Sequence, residues 1–264
     1  MDFATMMTLE PHGPDTFIGV GPAYPWGGLY GGQIVAQALR AAASTVDDGF
    51  HPHSLHAYFF RRGDSSEPIR FEVDRVRNGR SFVTRSVTVR QSVGSLLHMG
   101  VSFQSEADRA ATAVQTEHFP QVPAPDALVD GNWTPAFHRR AVDCSGDAGR
   151  GSAWFRMTAP LGDDPILHAC ALAYESDDLP SVAVIAQHPA HLDPKTAYQT
   201  LWSASLDHAI WFHLPFDAAE WLLHDFTCHG LLSSRGLSVG RIFTTAGTHV
   251  ATVTQEVLLR PAKR

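Results

Sequence analysis

A run of small and apolar residues from Gly31 to Ala43 constrains this chain more than any other segment. Two glycines at its start allow a sharp backbone turn, and the alanine, leucine and glutamine residues that follow favour a helix. Small or apolar residues cover most of the helix circumference, so the helix must be buried on nearly every side. We therefore predict a buried helix that the rest of a domain encloses.

The segments that follow have the two-residue period of half-buried strands. Three such runs place the following residues on shared strand faces: Ile69, Phe71 and Val73; Val83, Arg85, Val87 and Val89; Leu97, Met99, Val101 and Phe103. Asn78-Gly79 predicts a type I′ hairpin turn between the first two runs. One buried helix followed by an antiparallel meander indicates an α+β fold.

Prolines then interrupt the chain between two similar patterns. Pro120, Pro123 and Pro125 indicate a connector, because proline removes backbone donors and interrupts helices and central strands. A second apolar helix is predicted over Ile166 to Tyr174, and a final strand over Val250 to Leu259. The predicted division is an N-terminal unit over 1–106, a connector over 107–131 and a C-terminal unit over 132–264.

Two pairs of equal spacing support a duplication. Ser54 and Ser205 lie 151 positions apart in similar segments, and Gln104 and Gln255 have the same separation. Equal offsets at two distant points are typical of a repeated domain. In the second half, Leu237, Val239, Arg241 and Phe243 alternate as a strand would.

Several segments together resemble the acyl-CoA thioesterase II family. In the first half they are residues 30–33, 53–59, 62–64 and 78–82, and in the second half 206–213, 220–223, 234–236 and 254–256. The resemblance implies a double-hotdog fold, in which each of two tandem units wraps a sheet around a helix. It also implies hydrolysis of acyl-CoA thioesters without a cofactor.

The resemblance further implies three catalytic residues that position and activate water. They are Asp177 in a Tyr-x-Ser-Asp segment, Ser205 two positions before Asp207-His208, and Gln255 before the Glu of the last strand. The bacterial type enzyme of the family carries threonine at the hydroxyl position. Gly31 and Gly32 are predicted to bind substrate, because free N–H groups at a helix start can meet an oxyanion.

Each catalytic candidate also has an ordinary structural explanation. Acidic residues at a helix C-terminus oppose the helix dipole, so either the helix continues past Asp177 or other groups retain it. Ser205 could be an ordinary strand serine. Gln255 shares a strand face with Val253 and Val257, and a buried amide must find partners. Asp207 and His208 are adjacent on a strand and should point to opposite faces.

Composition and motifs exclude several other classes. A net charge of −7 argues against a nucleic-acid partner, and no apolar run approaches a membrane-spanning length. Three widely spaced cysteines predict no disulfide framework, and no signal peptide precedes the first helix. We therefore expect a cytoplasmic protein that can form a homo-oligomer. His51, His53 and His56 lack cysteine or carboxylate partners at zinc-site spacing, so no metal is predicted.

Three alternative functions follow from the same residues. A hotdog enoyl-CoA hydratase or dehydratase uses an Asp and a His, and Asp48 and His53 have a suitable spacing. A non-catalytic acyl-CoA-binding protein would keep the fold. A serine α/β-hydrolase requires a GxSxG nucleophile elbow on a strand-to-helix turn, and this class is not predicted.

Overall fold

The computed structural model describes residues 1–108, 113–147, 149–190, 192 and 194–262. The elements of the first half are α1 (Phe3–Met6), β1 (Glu10–Pro11), β2 (Thr16–Gly19), α2 (Gly31–Ala43), β3 (Phe50–Phe59), β4 (Ile69–Asn78), β5 (Phe82–Gln91) and β6 (Gly94–Ser105). Those of the second half are β7 (Phe137–Ala141), β8 (Arg150–Met157), α3 (Pro165–Glu175), α4 (Pro180–Ala186), α5 (Pro194–Ala197), β9 (Leu201–Ser205), β10 (Asp207–Phe212), β11 (Leu222–Leu232), β12 (Arg235–Thr244) and β13 (His249–Pro261).

All thirteen strands formed by the described residues belong to one antiparallel sheet. Its order is β1-β2-β4-β5-β6-β3-β10-β13-β12-β11-β8-β7, with β9 also paired to β13. The order on one side of β3 and β10 mirrors the order on the other side. β3 and β10 pair directly, from Asp207 opposite Tyr58 to Trp211 opposite Ser54, and so join the two halves edge to edge. The predicted α+β fold, in which a similar unit occurs twice, is confirmed, and the sheets of the two units join into one.

The two central helices form where the sequence predicts them. α2 begins at Gly31, and ten of its thirteen residues are buried. α3 begins after Asp164, whose carboxylate accepts a hydrogen bond from the Ile166 N–H, with Pro165 in the first turn, where its missing N–H costs nothing. The two helices pack against each other, α2 contacts the sheet of the first half, and α4, which follows α3, contacts the sheet of the second half.

The strand β12 shows that alternation alone does not identify the buried face. Leu237 and Val239 lie on the outer face, and Leu237 is 44% exposed. The inner face carries Gly236, Ser238 and Gly240 instead. Small residues are required there because a Cβ at Gly240 would collide with the Phe226 ring.

In each half, the strand that pairs with the last strand contains a register shift. In β3 the register against β6 shifts between Pro52 and Ser54. In the second half the register against β13 shifts at Leu206, between β9 and β10. The two interruptions are therefore equivalent points of the repeat.

Aligning these interruptions corrects the residue correspondence expected from the sequence. Ser205 then matches Pro52 rather than Ser54, and Gln255 matches Val101 rather than Gln104. The correspondence inferred from the 151-residue spacing is therefore wrong by two positions for Ser205 and by three positions for Gln255. An odd error places Gln104 on the opposite strand face from Val101, because neighbouring side chains alternate.

The Asn78-Gly79 turn differs from its prediction. β4 and β5 do form a hairpin, but Asn78 pairs with Val83, which leaves four residues in the loop. Neither Asn78 nor Gly79 has a positive φ, so the turn is not type I′. The Gly79 N–H donates instead to the Phe82 carbonyl across the loop.

The connector lies against the outer face of the second half. The Trp154 Nε1–H donates to the Pro123 carbonyl, and the Gln115 side chain bridges Gly247 and His249. Residues 109–112 of the predicted connector, and 148, 191, 193, 263 and 264 of the predicted C-terminal unit, lie outside the described residues. The boundaries at 106 and 132 stay a prediction. Within the described residues, no helix has the length and apolarity needed to cross a membrane.

Candidate active site

The turn after α3 places two adjacent carboxylates. α3 ends at Glu175, so Asp177 lies beyond the helix rather than within it. Asp178 accepts a hydrogen bond from Trp133 Nε1 at 2.6 Å and from Arg139 Nε at 2.7 Å. Other groups therefore retain these acids, which resolves the conflict with the dipole of α3.

Asp177 is held by the other half of the chain. Its Oδ2 accepts a hydrogen bond from the Gly32 N–H at 2.9 Å, a contact that spans 145 positions. Gly32 lies in the first turn of α2, where unpaired N–H groups and the positive end of the helix dipole favour an anion. The start of α2 thus anchors a carboxylate that is supplied by the end of α3.

Ser205 and Gln255 complete the cluster. Ser205 is the last residue of β9, and its Oγ donates to Asp177 Oδ1 at 3.0 Å. Gln255 lies on the inner face of β13, and its Nε2 donates to Ser205 Oγ at 2.7 Å. The structure therefore brings together the three side chains singled out in the sequence, although their catalytic roles stay a prediction.

The surroundings of Asp177 favour its neutral form more than water does. Burial raises the pKa of Asp177 from 3.8 to about 6, against the opposing effect of the neighbouring polar groups of Gln255, Ser205 and Gly32. The carboxylate is still mostly ionised at neutral pH. A base with a pKa of about 6 is well matched to proton transfer in that range.

Gly31 and Gly32 have different surroundings, and their predicted role in substrate binding stays a prediction. The Gly32 N–H is occupied by Asp177, so it is not free to meet an oxyanion. A Cβ at Gly31 would stand 2.6 Å from Asp177 Oδ2 and 3.2 Å from Phe59 Cζ. A Cβ at Gly32 would collide with the Tyr174 carbonyl. Both glycines are needed for close approach to the carboxylate and to α3.

His208 is a member of this cluster that the sequence analysis missed. Its Nδ1 lies 2.5 Å from Gln255 Oε1, and its Nε2 lies 2.9 Å from Ser176 Oγ. Asp207 points the other way and accepts from the Glu256 N–H. The two side chains do face opposite sides, as predicted. The available signal was that His208 shares the inner face with Ile210.

An aromatic cluster surrounds the start of α2. Tyr24 stacks on Trp26 with ring centroids 5.0 Å apart, and Tyr30 lies 5.0 Å from Trp133 and 5.2 Å from Tyr174. Trp26 remains 45% exposed. The cluster fixes the approach of the two helices and therefore the position of Gly32 against Asp177.

The residues behind the alternative functions are placed differently. Asp48 is exposed, while the His53 ring packs its edge against Phe82. Among the described residues no group of three or more His, Cys, Asp and Glu could hold a metal ion. A GxSxG pentapeptide that the sequence analysis overlooked runs over 236–240, but it lies inside β12. Ser238 is therefore on a buried strand face and not on a nucleophile elbow.

Models of two domain families match the chain. The acyl-CoA thioesterase N-terminal domain matches residues 21–104, and the acyl-CoA thioesterase C-terminal domain matches residues 116–259. Together they cover most of the sequence and both halves of the sheet.

Characterised relatives and solved structures agree with these matches. Human acyl-coenzyme A thioesterase 8 is 31% identical, over 97% of this chain and 88% of its own length. Acyl-CoA thioesterase 2 of Haemophilus influenzae is 31% identical, over 88% of this chain and 87% of its own. The structure of acyl-CoA thioesterase II TesB2 from Mycobacterium marinum superposes with a TM-score of 0.85 at 36% identity, covering 99% of this chain and 98% of the other.

Proposed function

Since this chain belongs to the acyl-CoA thioesterase family, we propose that it hydrolyses acyl-CoA to a free fatty acid and CoA through Asp177, Ser205 and Gln255. The observation that carries the assignment of residues is their convergence. Ser205 bonds to a residue 28 positions away and to another 50 positions away, and all three meet at the helix start of the other half. Such a cluster serves no evident packing purpose, since apolar side chains would fill the space more stably.

Each of these side chains keeps unused hydrogen-bonding capacity that one water molecule can fill. Asp177 Oδ1 and Oδ2 each accept one hydrogen bond within the protein and retain a further acceptor site. Gln255 Nε2 has a second hydrogen that can donate to the water oxygen. Asp177 then accepts a proton from a water that Gln255 and Ser205 hold in place.

The reaction proceeds by direct attack on the thioester. The water oxygen forms a bond to the carbonyl carbon while its proton passes to Asp177. The tetrahedral intermediate collapses as the carbon–sulfur bond breaks, and protonated Asp177 returns its proton to the departing sulfur. These steps need no covalent enzyme intermediate and no cofactor.

The developing negative charge on the carbonyl oxygen needs hydrogen-bond donors. Gly32 is occupied, so the Gly31 N–H at the first position of α2 is the donor we assign to this role. Its missing Cβ keeps the space beside Asp177 open for the acyl carbonyl. Donors at a helix start, already oriented before the reaction, are effective stabilisers of an oxyanion.

The test is the replacement of Asp177 by asparagine. Asp177→Asn keeps the shape and removes the base, and turnover should fall by roughly 10²–10⁴-fold. Thiol release from a series of saturated acyl-CoA substrates measures it. Asp48→Asn is the matched control, because this exposed carboxylate belongs to the hydratase alternative and should leave thiol release unchanged.

Three outcomes would contradict the proposal. Near wild-type turnover in Asp177→Asn would show that this carboxylate is not the base. Hydration of crotonyl-CoA without thiol release, lost in Asp48→Asn, would favour the hydratase. Binding of acyl-CoA without either reaction would favour a non-catalytic carrier.

The remaining expectations belong to the same proposal. We expect a role in fatty-acid metabolism in the cytoplasm, two units with boundaries at 106 and 132, and assembly into a homo-oligomer. Light scattering on the purified protein measures the last of these.

A further inference from the structure

A continuous hydrogen-bond chain leads from the candidate base into the core. It runs from Asp177 through Ser205 and Gln255 to His208 and ends at Ser176. The last three side chains are fully or almost fully buried. A buried amide and imidazole of this kind must satisfy each other, because no solvent reaches them.

The carboxylate determines the direction of every bond in this chain. Ionised Asp177 only accepts, so the Ser205 hydroxyl donates to it and must accept from Gln255 Nε2. Gln255 Oε1 is then turned toward His208 and needs a donor. Neutral His208 supplies that donor from Nδ1, and its Nε2 accepts from the Ser176 hydroxyl. Burial lowers the pKa of His208 to about 4, which keeps the ring neutral at physiological pH.

The first half of the chain shows what the same position contains without a catalytic cluster. By the register of the two sheets, His208 corresponds to Leu55 and Gln255 corresponds to Val101. Leu55 and Val101 are directly opposite each other and buried in the core. An apolar pair therefore fills this site in the fold, and packing does not require an imidazole there.

We propose that His208 is a positioning residue, which fixes the amide of Gln255 with its nitrogen toward Ser205 and its oxygen toward the core. This inference rests on the proposed function of Asp177, Ser205 and Gln255. Without the Nδ1–H donor, the Gln255 oxygen is buried and unpaired, an arrangement that folded proteins rarely retain. The amide is then no longer held in one orientation, and in the rotated orientation its oxygen accepts from the Ser205 hydroxyl instead.

Rotation has a defined effect on the base. The Ser205 hydroxyl would turn from Asp177 to the Gln255 oxygen, and Asp177 would lose a donor that lowers its pKa. The water would lose the Gln255 N–H that holds it. Turnover should therefore fall, and the acidic limb of its pH dependence should move to higher pH.

The other ionisable groups near the cluster do not account for such a shift. Tyr30, directly before α2, and Tyr198, after α5, interact electrostatically with Asp177, and desolvation raises the pKa of both above the ordinary tyrosine value. Asp178 is paired with Arg139, and Asp207 faces the opposite side of the strand. Burial also raises the pKa of Glu175 well above its ordinary value, but its carboxylate lies 3.6 Å from the His224 ring and has no bond to the cluster among the described residues. A shift of the acidic limb that follows replacement of His208 therefore reports on Asp177.

The experiment compares four variants of the full chain by steady-state hydrolysis of a saturated acyl-CoA across the acidic pH range. His208→Leu copies the Leu55 side of the repeat, and His208→Gln keeps polarity but moves the donor to the Nε2 position. Both should lower kcat, by up to about 10²-fold for a misplaced water, with little change in KM. Both should also move the acidic limb to higher pH.

His208→Asn is the rescue variant, because its amide nitrogen lies where Nδ1 lies. It should recover most of kcat and the wild-type limb. His224→Leu is the control for loss of a buried imidazole, since His224 is fully buried in β11, 3.6 Å from the Glu175 carboxylate, and has no hydrogen-bond partner among the described residues. It should leave the acidic limb in place.

The outcomes separate positioning from packing and from failure of the proposed function. Equal loss in His208→Leu, His208→Gln and His208→Asn with an unmoved limb overturns the proposal, because only packing is then affected. Wild-type kcat in His208→Leu and His208→Gln overturns the role of His208 as well, and if Asp177→Asn is inactive, the proposed function of Asp177 is retained. An active Asp177→Asn variant overturns both the role of His208 and the proposed function.

Discussion

Replacing Asp177 by asparagine should stabilise the folded chain at neutral pH, in addition to its effect on turnover. Burial raises the pKa of this carboxyl from 3.8 to about 6 in the folded state. The folded chain therefore binds the proton more tightly than the unfolded chain does. The stability that this group contributes is complete below about pH 4 and is lost as the pH rises through 6. Asparagine does not ionise, so the variant avoids that loss.

The size of the effect follows from the pKa values. A rise from 3.8 to about 6 corresponds to about 3 kcal/mol, and this is an upper bound because Asp177 is only partly buried as a residue. Near pH 4 the neutral carboxyl and the amide make similar demands on Ser205 and Gly32, so the two proteins should unfold alike. Near pH 7.5 the variant should be more stable by roughly 1–3 kcal/mol, or about 2–4 °C in Tm for each kcal/mol.

Urea unfolding followed by tryptophan fluorescence, at about pH 4 and about pH 7.5, measures this difference. Asp178→Asn is the matched control, and its change in the free energy of unfolding should have the opposite sign. Asp178 accepts from Arg139 and Trp133, so its replacement should cost about 1–3 kcal/mol at neutral pH. If Asp177→Asn were less stable than wild type near pH 7.5, its hydrogen bonds would outweigh burial and the reasoning would be refuted.

Two further predictions concern the hydroxyl and the small residues of β12. Ser205→Thr should retain substantial turnover because it keeps the oxygen. Ser205→Ala should lower kcat and move the acidic limb of the pH dependence to higher pH, since Asp177 loses a donor. A pH series of thiol release that shows equal activity for both variants would contradict this. Gly240→Ala should lower the free energy of unfolding by about 1–3 kcal/mol because the new Cβ meets the Phe226 ring, while Gly100→Ala, with open space around its Cα, should change it by less than about 0.5 kcal/mol. Equal denaturant midpoints for these two glycine variants would show that the sheet has room at Gly240.

Much of the fold could be predicted from periodicity. The helix at Gly31, the alternating strands and the duplication all follow from local patterns, and even the buried Arg85 lies on the strand face that alternation gives it. The register of the repeat could not be read in this way. It depends on the interruption at Leu206, and residue identities do not reveal where a strand loses one position.

Three side chains of the candidate site were predicted from the sequence, whereas His208 and the hydrogen bonds among the four were not. Resemblance to a family supplied Asp177, Ser205 and Gln255. The bond from Gly32 to Asp177 depends on how two helices from different halves meet, which no local pattern contains. His208 was accessible to strand alternation, but its adjacency to Asp207 drew attention to the wrong partner.

The pairing of β3 with β10 has a consequence for synthesis on the ribosome. β3 is complete at Phe59, but the strand that covers its free edge begins only at Asp207. For the time needed to translate the intervening segment, the first half emerges with an uncovered edge, which is the kind of surface that pairs with other chains. A fragment that ends before β10 should therefore self-associate, and crowded translation of this chain should depend on chaperones that cover β3 until the second half arrives.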